Sequence, residues 1–191
     1  MSRLEIIAAL LVLLNVALVV ARSIWCWPVG AVAVTLYGYV FWRAQLYANM
    51  GLQAVYLALQ FYGWYQWLYG GEGHTKLPVR RVGDRQLTIC AGLGLVGTVV
   101  LGTFLKWRTD AALPYWDSAA TAFSLVAQWM LAKKYLENWL FWIGVNVVYV
   151  GMFVSQAMLP SATLYVILFV MAVMGYWEWL KSLQKTEPAS G

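Results

Sequence analysis

Ionisable chemistry is scarce in this chain. One histidine, two cysteines and eight acidic residues are spread over 191 positions, and only 11% of residues are charged. A zinc or haem centre needs clustered His, Cys or carboxylate donors, and no such cluster exists in the sequence. Nucleophilic catalysis needs a base beside Ser or Cys, but the sole histidine, His74, sits in a glycine-rich loop. Cys26 and Cys90 are isolated, in or beside apolar stretches, and read as small buried hydrophobes rather than a disulfide or a metal pair. We therefore expect no catalytic residue, metal or cofactor. A soluble domain carries about 25% charged residues; with 62% hydrophobic residues this chain is an integral membrane protein. No small-residue cleavage site follows the first apolar run, Leu4 to Ala21, so that run reads as a span and not as a signal peptide.

What is present is a series of apolar segments. A bilayer core of roughly 30 Å needs about 20 apolar residues per helix. Seven segments qualify: 4–22, 25–42, 49–69, 87–105, 117–132, 138–157 and 161–180. Tight turns are expected at Arg22-Ser23, Arg43 to Gln45 and Pro160-Ser161. The one long polar loop, 70–86, is broken by Gly70, Gly71, Gly73 and Pro78. The net charge of +5 lies in short loops, where it sets orientation, and does not imply nucleic-acid binding. Arg3, Arg43, Lys106 and Arg108 fall on one side. The other nine basic residues fall on the opposite side, with the loops after the first, third and fifth segments and with the C-terminus. The positive-inside rule then puts the N-terminus outside and the C-terminus, with the tail 182–191, in the cytoplasm.

The chain also repeats itself. At an offset of 112, residues 24–68 match 136–180 with seven identities: Trp27/Trp139, Tyr37/Tyr149, Phe41/Phe153, Leu52/Leu164, Gly63/Gly175, Trp67/Trp179 and Leu68/Leu180. Glu5 pairs with Asp117 near the start of each half. Internal repeats in one membrane chain are a signature of secondary transporters. The expected architecture is all-α, with seven transmembrane helices as 3+1+3. A first triplet (1–69) and a second (113–181) are joined by a linker span (87–105), which makes the repeats parallel in the membrane.

Polar residues inside the bilayer are costly unless they face a cavity or a partner. In the third segment Gln53, Tyr56, Gln60, Trp64 and Trp67 follow one another at spacings of 3 and 4, which is one helical stripe. The sixth carries a second stripe, Trp139, Trp142, Asn146, Tyr149 and Phe153, preceded by Asn138. The fifth adds Thr121, Ser124 and Gln128. The repeat acts as an internal control. Gln60 pairs with Ala172, Asn146 with Val34, Gln128 with Val16 and Trp142 with Gly30, so the scaffold is duplicated while the polar groups are not. The expected substrate pocket is single and asymmetric, drawn from Gln53, Tyr56, Gln60, Trp64, Ser124 and Gln128, and from Asn138, Trp139, Trp142, Asn146 and Tyr149. Amides, phenols and indoles suit a flat cationic aromatic guest. With no Arg or Lys at mid-depth, an anionic phosphorylated ligand suits it poorly.

Trp25, Trp27, Trp42, Trp107 and Trp116 lie near helix ends and read as interfacial belt residues. Trp67 and Trp179 read as packing or anchoring residues. Pro28, Gly30, Gly144 and Gly151 are plausible bending points. Gly92, Gly94, Gly97 and Gly102 imply close packing of the fourth helix, within one chain or between copies in a homo-oligomer.

These residues resemble the PnuC family of bacterial vitamin transporters. The resemblance rests on Trp27-Pro28-Val29-Gly30, Tyr62-Gly63-Trp64-Tyr65-Gln66-Trp67, Trp116-Asp117-Ser118, Ser124-Leu125-Val126-Ala127, the run Lys134 to Trp142 continuing to Asn146, and Gly175 to Trp179. It implies a fold similar to the SWEET sugar transporters, in the bacterial inner membrane. It further implies facilitated diffusion of nicotinamide riboside, trapped after phosphorylation by a cytoplasmic kinase. Relatives carry thiamine or riboflavin instead, and the pocket's chemistry alone does not separate the two cationic guests. A different class, a membrane scaffold or sensor without flux, would explain packing but not the broken polar symmetry.

Overall fold

The computed structural model describes residues 3–43, 45, 47–108 and 113–186. They form seven α-helices: α1 Arg3–Val20, α2 Cys26–Arg43, α3 Tyr47–Tyr69, α4 Asp84–Arg108, α5 Pro114–Ala132, α6 Asn138–Ser155 and α7 Leu159–Thr186. No β-strand occurs among the described residues, only an isolated parallel bridge between Arg80 and Tyr135. The side chains of Arg3, Glu5, Tyr47, Ala48 and Thr186 and the tail from 187 lie outside the description. Hydropathy marks where a helix is apolar, not where it ends. Thus α4 begins three residues before the expected 87 and runs to Arg108, and α7 continues past 180 through polar turns. The expected 70–86 loop accordingly ends at Gly83, and it contains a 3-10 turn at Glu72–His74.

Local chemistry explains several boundaries. Pro28, Pro114 and Pro160 all fall in the first turns of their helices, where a missing N–H breaks no helical bond. Pro28 is therefore a helix starter, not the bending point expected from sequence. Tight helix ends recur at the 112-residue offset. Arg22 (φ 56°) and Lys134 (φ 52°) are both left-handed, as are Gln45 (φ 60°) and Ala157 (φ 57°). Around the first pair the bonds Arg22 N–H to Val19 O and Ser23 N–H to Leu18 O are matched by Lys134 N–H to Leu131 O and Tyr135 N–H to Met130 O. This is the Schellman closure of a helix, made here without glycine.

Packing repeats as well. A Cβ built on Gly63 would lie 1.9 Å from the Trp27 ring, and one on Gly175 would lie 2.5 Å from the Trp139 ring. Trp27 meets Trp67 edge-on at 5.3 Å, and Trp139 meets Trp179 edge-on at 5.5 Å. Trp27 is only 1% exposed, which corrects its reading as a belt residue: the small Gly63 one helix away admits its ring to the core. Trp25, Trp42, Trp107 and Trp116 are exposed, as belt residues would be. Cys26 and Cys90 are buried free thiols.

Six helices pack in a closed ring, α1 to α2, α3, α5, α6, α7 and back to α1, while α4 lies outside against α5. Gly94, Gly97 and Gly102 of α4 abut Phe123, Ala122 and Tyr115 of α5, so the close packing is within the chain, whereas Gly92 faces open space. The outer surface is apolar: Leu10, Leu93, Val96, Val100, Val170 and Met174 are all exposed. That much exposed apolar surface is stable only against lipid. By length and composition alone α4, α6 and α7 can cross a membrane, and α1 contributes a shorter apolar stretch, Ile6–Val20.

Candidate functional site

The polar residues singled out by broken symmetry lie inside the helix ring. Gln60 (7% exposed), Ser124 (2%), Gln128 (6%) and Asn146 (4%) are buried. Gln53, Tyr56, Trp64, Trp142 and Tyr149 are half-buried. The α3 and α6 stripes share no substantial packing; α5 joins them. From α3, Tyr56 bonds the Ser124 hydroxyl. Because Ser124 donates its single proton to the Thr121 carbonyl at 2.8 Å, the Tyr56 hydroxyl is the donor. Tyr149 stacks on Phe153 at 5.9 Å and meets Tyr165 at 4.5 Å with the rings tilted by 34°, forming an aromatic wall. Its repeat-equivalent, Tyr37, stacks on Phe41 at 6.1 Å.

Gln60 shows how the asymmetry is built. Its amide lies against Gly30 of α2, where a Cβ would come within 2.5 Å of Nε2. The equivalent positions in the other half hold Trp142 and Ala172. One half thus pairs a glycine with an amide, and the other pairs a small residue with an indole. Gly30 is needed for space and not for bending. Beside it, Asn15 Nδ2 donates to the Cys26 carbonyl. Asn15 was missed as a candidate, although the signal was present: a lone amide in an apolar helix whose counterpart at the offset is Ala127.

The remaining candidates lie elsewhere. Gln53 lies against Gly38 of α2. Asn138 opens α6 and donates from Nδ2 to the Tyr135 carbonyl at 2.6 Å; its buried Oδ1 has no partner. Trp139 is wedged on Gly175, and Trp64 and Trp142 pack around the same indole cluster.

At that end of the ring, the segment 70–83 is a largely exposed strap anchored at two buried residues. Leu77 and Val82 are its buried anchors. Arg80 N–H donates to Lys134 O, and Leu136 N–H returns a bond to Arg80 O. Val82 N–H donates to Glu137 Oε2 at 2.9 Å, and the Arg81 guanidinium lies 3.9 Å from the same carboxylate. Lys134 Nζ donates to Leu77 O at 2.8 Å and lies 4.2 Å from the Trp67 ring centre. Burial penalises its charge and lowers its pKa from 10.5 to about 8. The unfolded chain, titrating at the ordinary value, binds more protons between those pH values. The stability contribution of Lys134 is therefore least below pH 8 and rises through the window from about 8 to 10.5. Lys134→Met is expected to abolish that rise. Thermal midpoints of the wild type and the variant, measured across this window, check it; parallel curves would contradict it.

A closed ring of helices with an apolar outer face, enclosing buried amides, is the make-up of a multi-pass membrane protein. The chain belongs to the nicotinamide mononucleotide transporter family, whose profile matches residues 2–181. It is similar to the nicotinamide riboside transporter PnuC of Escherichia coli (strain K12), with 28% identity over 97% of this chain and 88% of that protein. It is similar to the same extent, 28%, to the riboflavin/roseoflavin transporter RibM of Streptomyces davaonensis, over 96% of this chain and 88% of that protein. The crystal structure of the vitamin B3 transporter PnuC superposes with a TM-score of 0.76 at 28% identity, covering 96% of this chain and 83% of that one.

Proposed function

We propose that this protein carries nicotinamide riboside across the bacterial inner membrane by facilitated diffusion, the guest being trapped by a cytoplasmic kinase. One observation carries the reading: four buried polar side chains, Gln60, Ser124, Gln128 and Asn146, have apolar counterparts, Ala172, Val12, Val16 and Val34, in an otherwise repeated scaffold. A duplicated scaffold retains one-sided polar groups when they serve a single guest. The amides suit a carboxamide and ribose hydroxyls, and the Tyr149–Tyr165 wall suits a pyridinium ring. The absence of Lys or Arg from α3, α5 and α6 favours the nucleoside over its phosphorylated form. Tyr56 positions Ser124, and Trp64, Trp142, Asn138 and Trp139 form the floor at the strap end, with Gln53 above them on α3.

In this reading residues 1–69 and 113–181 are parallel three-helix repeats, α4 is the linker that restores their common direction, and the N-terminus is outside. The likeness to RibM supports a second guest, a neutral flavin. Liposomes containing the protein should take up labelled nicotinamide riboside without any ion gradient. Calorimetry with nicotinamide riboside, thiamine and riboflavin should show heat of binding for the first. Flux that requires a sodium or proton gradient would overturn the uniport, and binding of riboflavin alone would overturn the substrate.

A further inference from the structure

The two seams between the three-helix units are joined at the strap end by a matched pair of crossed bonds. The Trp67 indole of α3 donates to the Leu131 carbonyl of α5, and the Trp179 indole of α7 donates to the Val19 carbonyl of α1, each buried and each at 3.1 Å. Residues 67 and 179, and 19 and 131, are both 112 apart, so one bond is the image of the other. Each bond leaves its own unit: α3 and α1 belong to the first, α5 and α7 to the second. They lie in the α3–α5 and α1–α7 seams, the two places where the units pack substantially. Between them the rings of Trp67 and Trp179 approach to 6.0 Å, with Trp27 and Trp139 edge-on behind. Four indoles thus fill the space between the units at this end.

The acceptors suit a bond that can break. Val19 O also accepts Arg22 N–H, and Leu131 O also accepts Lys134 N–H, through the two helix-end turns. When the indole leaves, neither carbonyl is stranded, and the water that enters can satisfy the indole N–H. A helix-end carbonyl with a second free lone pair offers this, whereas a side-chain amide would be left bare.

We infer that this paired indole–carbonyl clasp is the gate at the strap end: a guest leaving by that end requires both bonds to part together. The inference rests on the transport reading above, but its test needs no substrate. Cys26 is buried in the same cluster and is 1% exposed, so its labelling reports opening. In a Cys90→Ala background, Trp67→Phe and Trp179→Phe keep a ring and remove only the N–H. Each should speed labelling of Cys26 by a small water-soluble maleimide about fivefold, the change that loss of one ordinary hydrogen bond makes to an equilibrium. Wild-type labelling rates in both variants, or acceleration in only one, would overturn the paired gate. Should either variant not fold, hydrogen exchange of the wild-type indole N–H groups, resolved by nitrogen-15 NMR, decides. One shared rate for Trp67 and Trp179 supports a single opening event, and rates that differ more than about tenfold overturn it. A protein that labels as expected but moves no vitamin would leave the gate standing and remove the substrate.

Discussion

Gly63→Ala is expected to cost about 3 kcal/mol, the upper end of what overpacking does to a filled core. Alanine is normally the better helix residue by roughly 1 kcal/mol, so the sign of the effect is itself diagnostic. The added methyl would sit 1.9 Å from the ring of Trp27, itself part of the buried indole cluster. Neither partner can yield by a small rotation: the glycine is inside α3, and Trp27 is held by Trp67. The same substitution at Gly175, where the Cβ would lie 2.5 Å from Trp139, should be of the same sign and somewhat milder. Gly144 and Gly151 serve as controls, because a Cβ at either meets nothing within 4 Å. Alanine there should be neutral or stabilising by up to about 1 kcal/mol. Thermal midpoints of the four purified variants give the comparison. A Gly63→Ala protein as stable as the wild type would show that the indole is not seated where it is described.

Gln60→Ala and Asn146→Ala should each weaken binding of nicotinamide riboside about 10- to 100-fold, the loss of one hydrogen bond in a water-excluded site. Calorimetry on folded, monodisperse protein measures it. The more searching variant is Gly30→Ala, which leaves every proposed contact residue in place. Its methyl would fall 2.5 Å from Gln60 Nε2. The methyl would meet the ends of two side chains, Gln60 and, at 2.8 Å from Nδ2, Asn15, and no backbone, so the fold should survive while the amides are displaced. Gly30→Ala is therefore expected to reproduce the binding defect of Gln60→Ala with little change in thermal midpoint. Full affinity in Gly30→Ala would mean that the orientation of this amide does not matter to the guest, and the pocket would have to be drawn without it.

The candidate site was legible to the extent that a repeat can be read as its own control. Gln60, Gln128 and Asn146 stand out because their counterparts are apolar, and all three are buried. Asn15 carried the same signal in α1. The partnership of Gly30 with Gln60 was not legible: a glycine in an apolar segment looks alike whether it bends a helix or makes room for a neighbour. Trp27 failed for a related reason. Its position near a helix end fits a belt residue, and only the facing Gly63, 36 positions along the chain, turns it inward. The polar loop was legible as a loop, but its anchoring was not: Leu77 and Val82 are two apolar residues among many polar ones, and its hydrogen bonds come mainly from main-chain groups around Lys134, whose sequence carries no mark of them.

Sequence alone determined the membrane class, the seven apolar segments, the 112-residue offset and the one-sidedness of the amides, because these depend on composition and on comparing the chain with itself. The tertiary structure decided what touches what: the closed ring with α4 outside, the four-indole plug, the crossed Trp67 and Trp179 bonds, and the strap over them. Those features depend on distances between residues far apart in the chain, and hydropathy, which is summed locally, does not encode such distances.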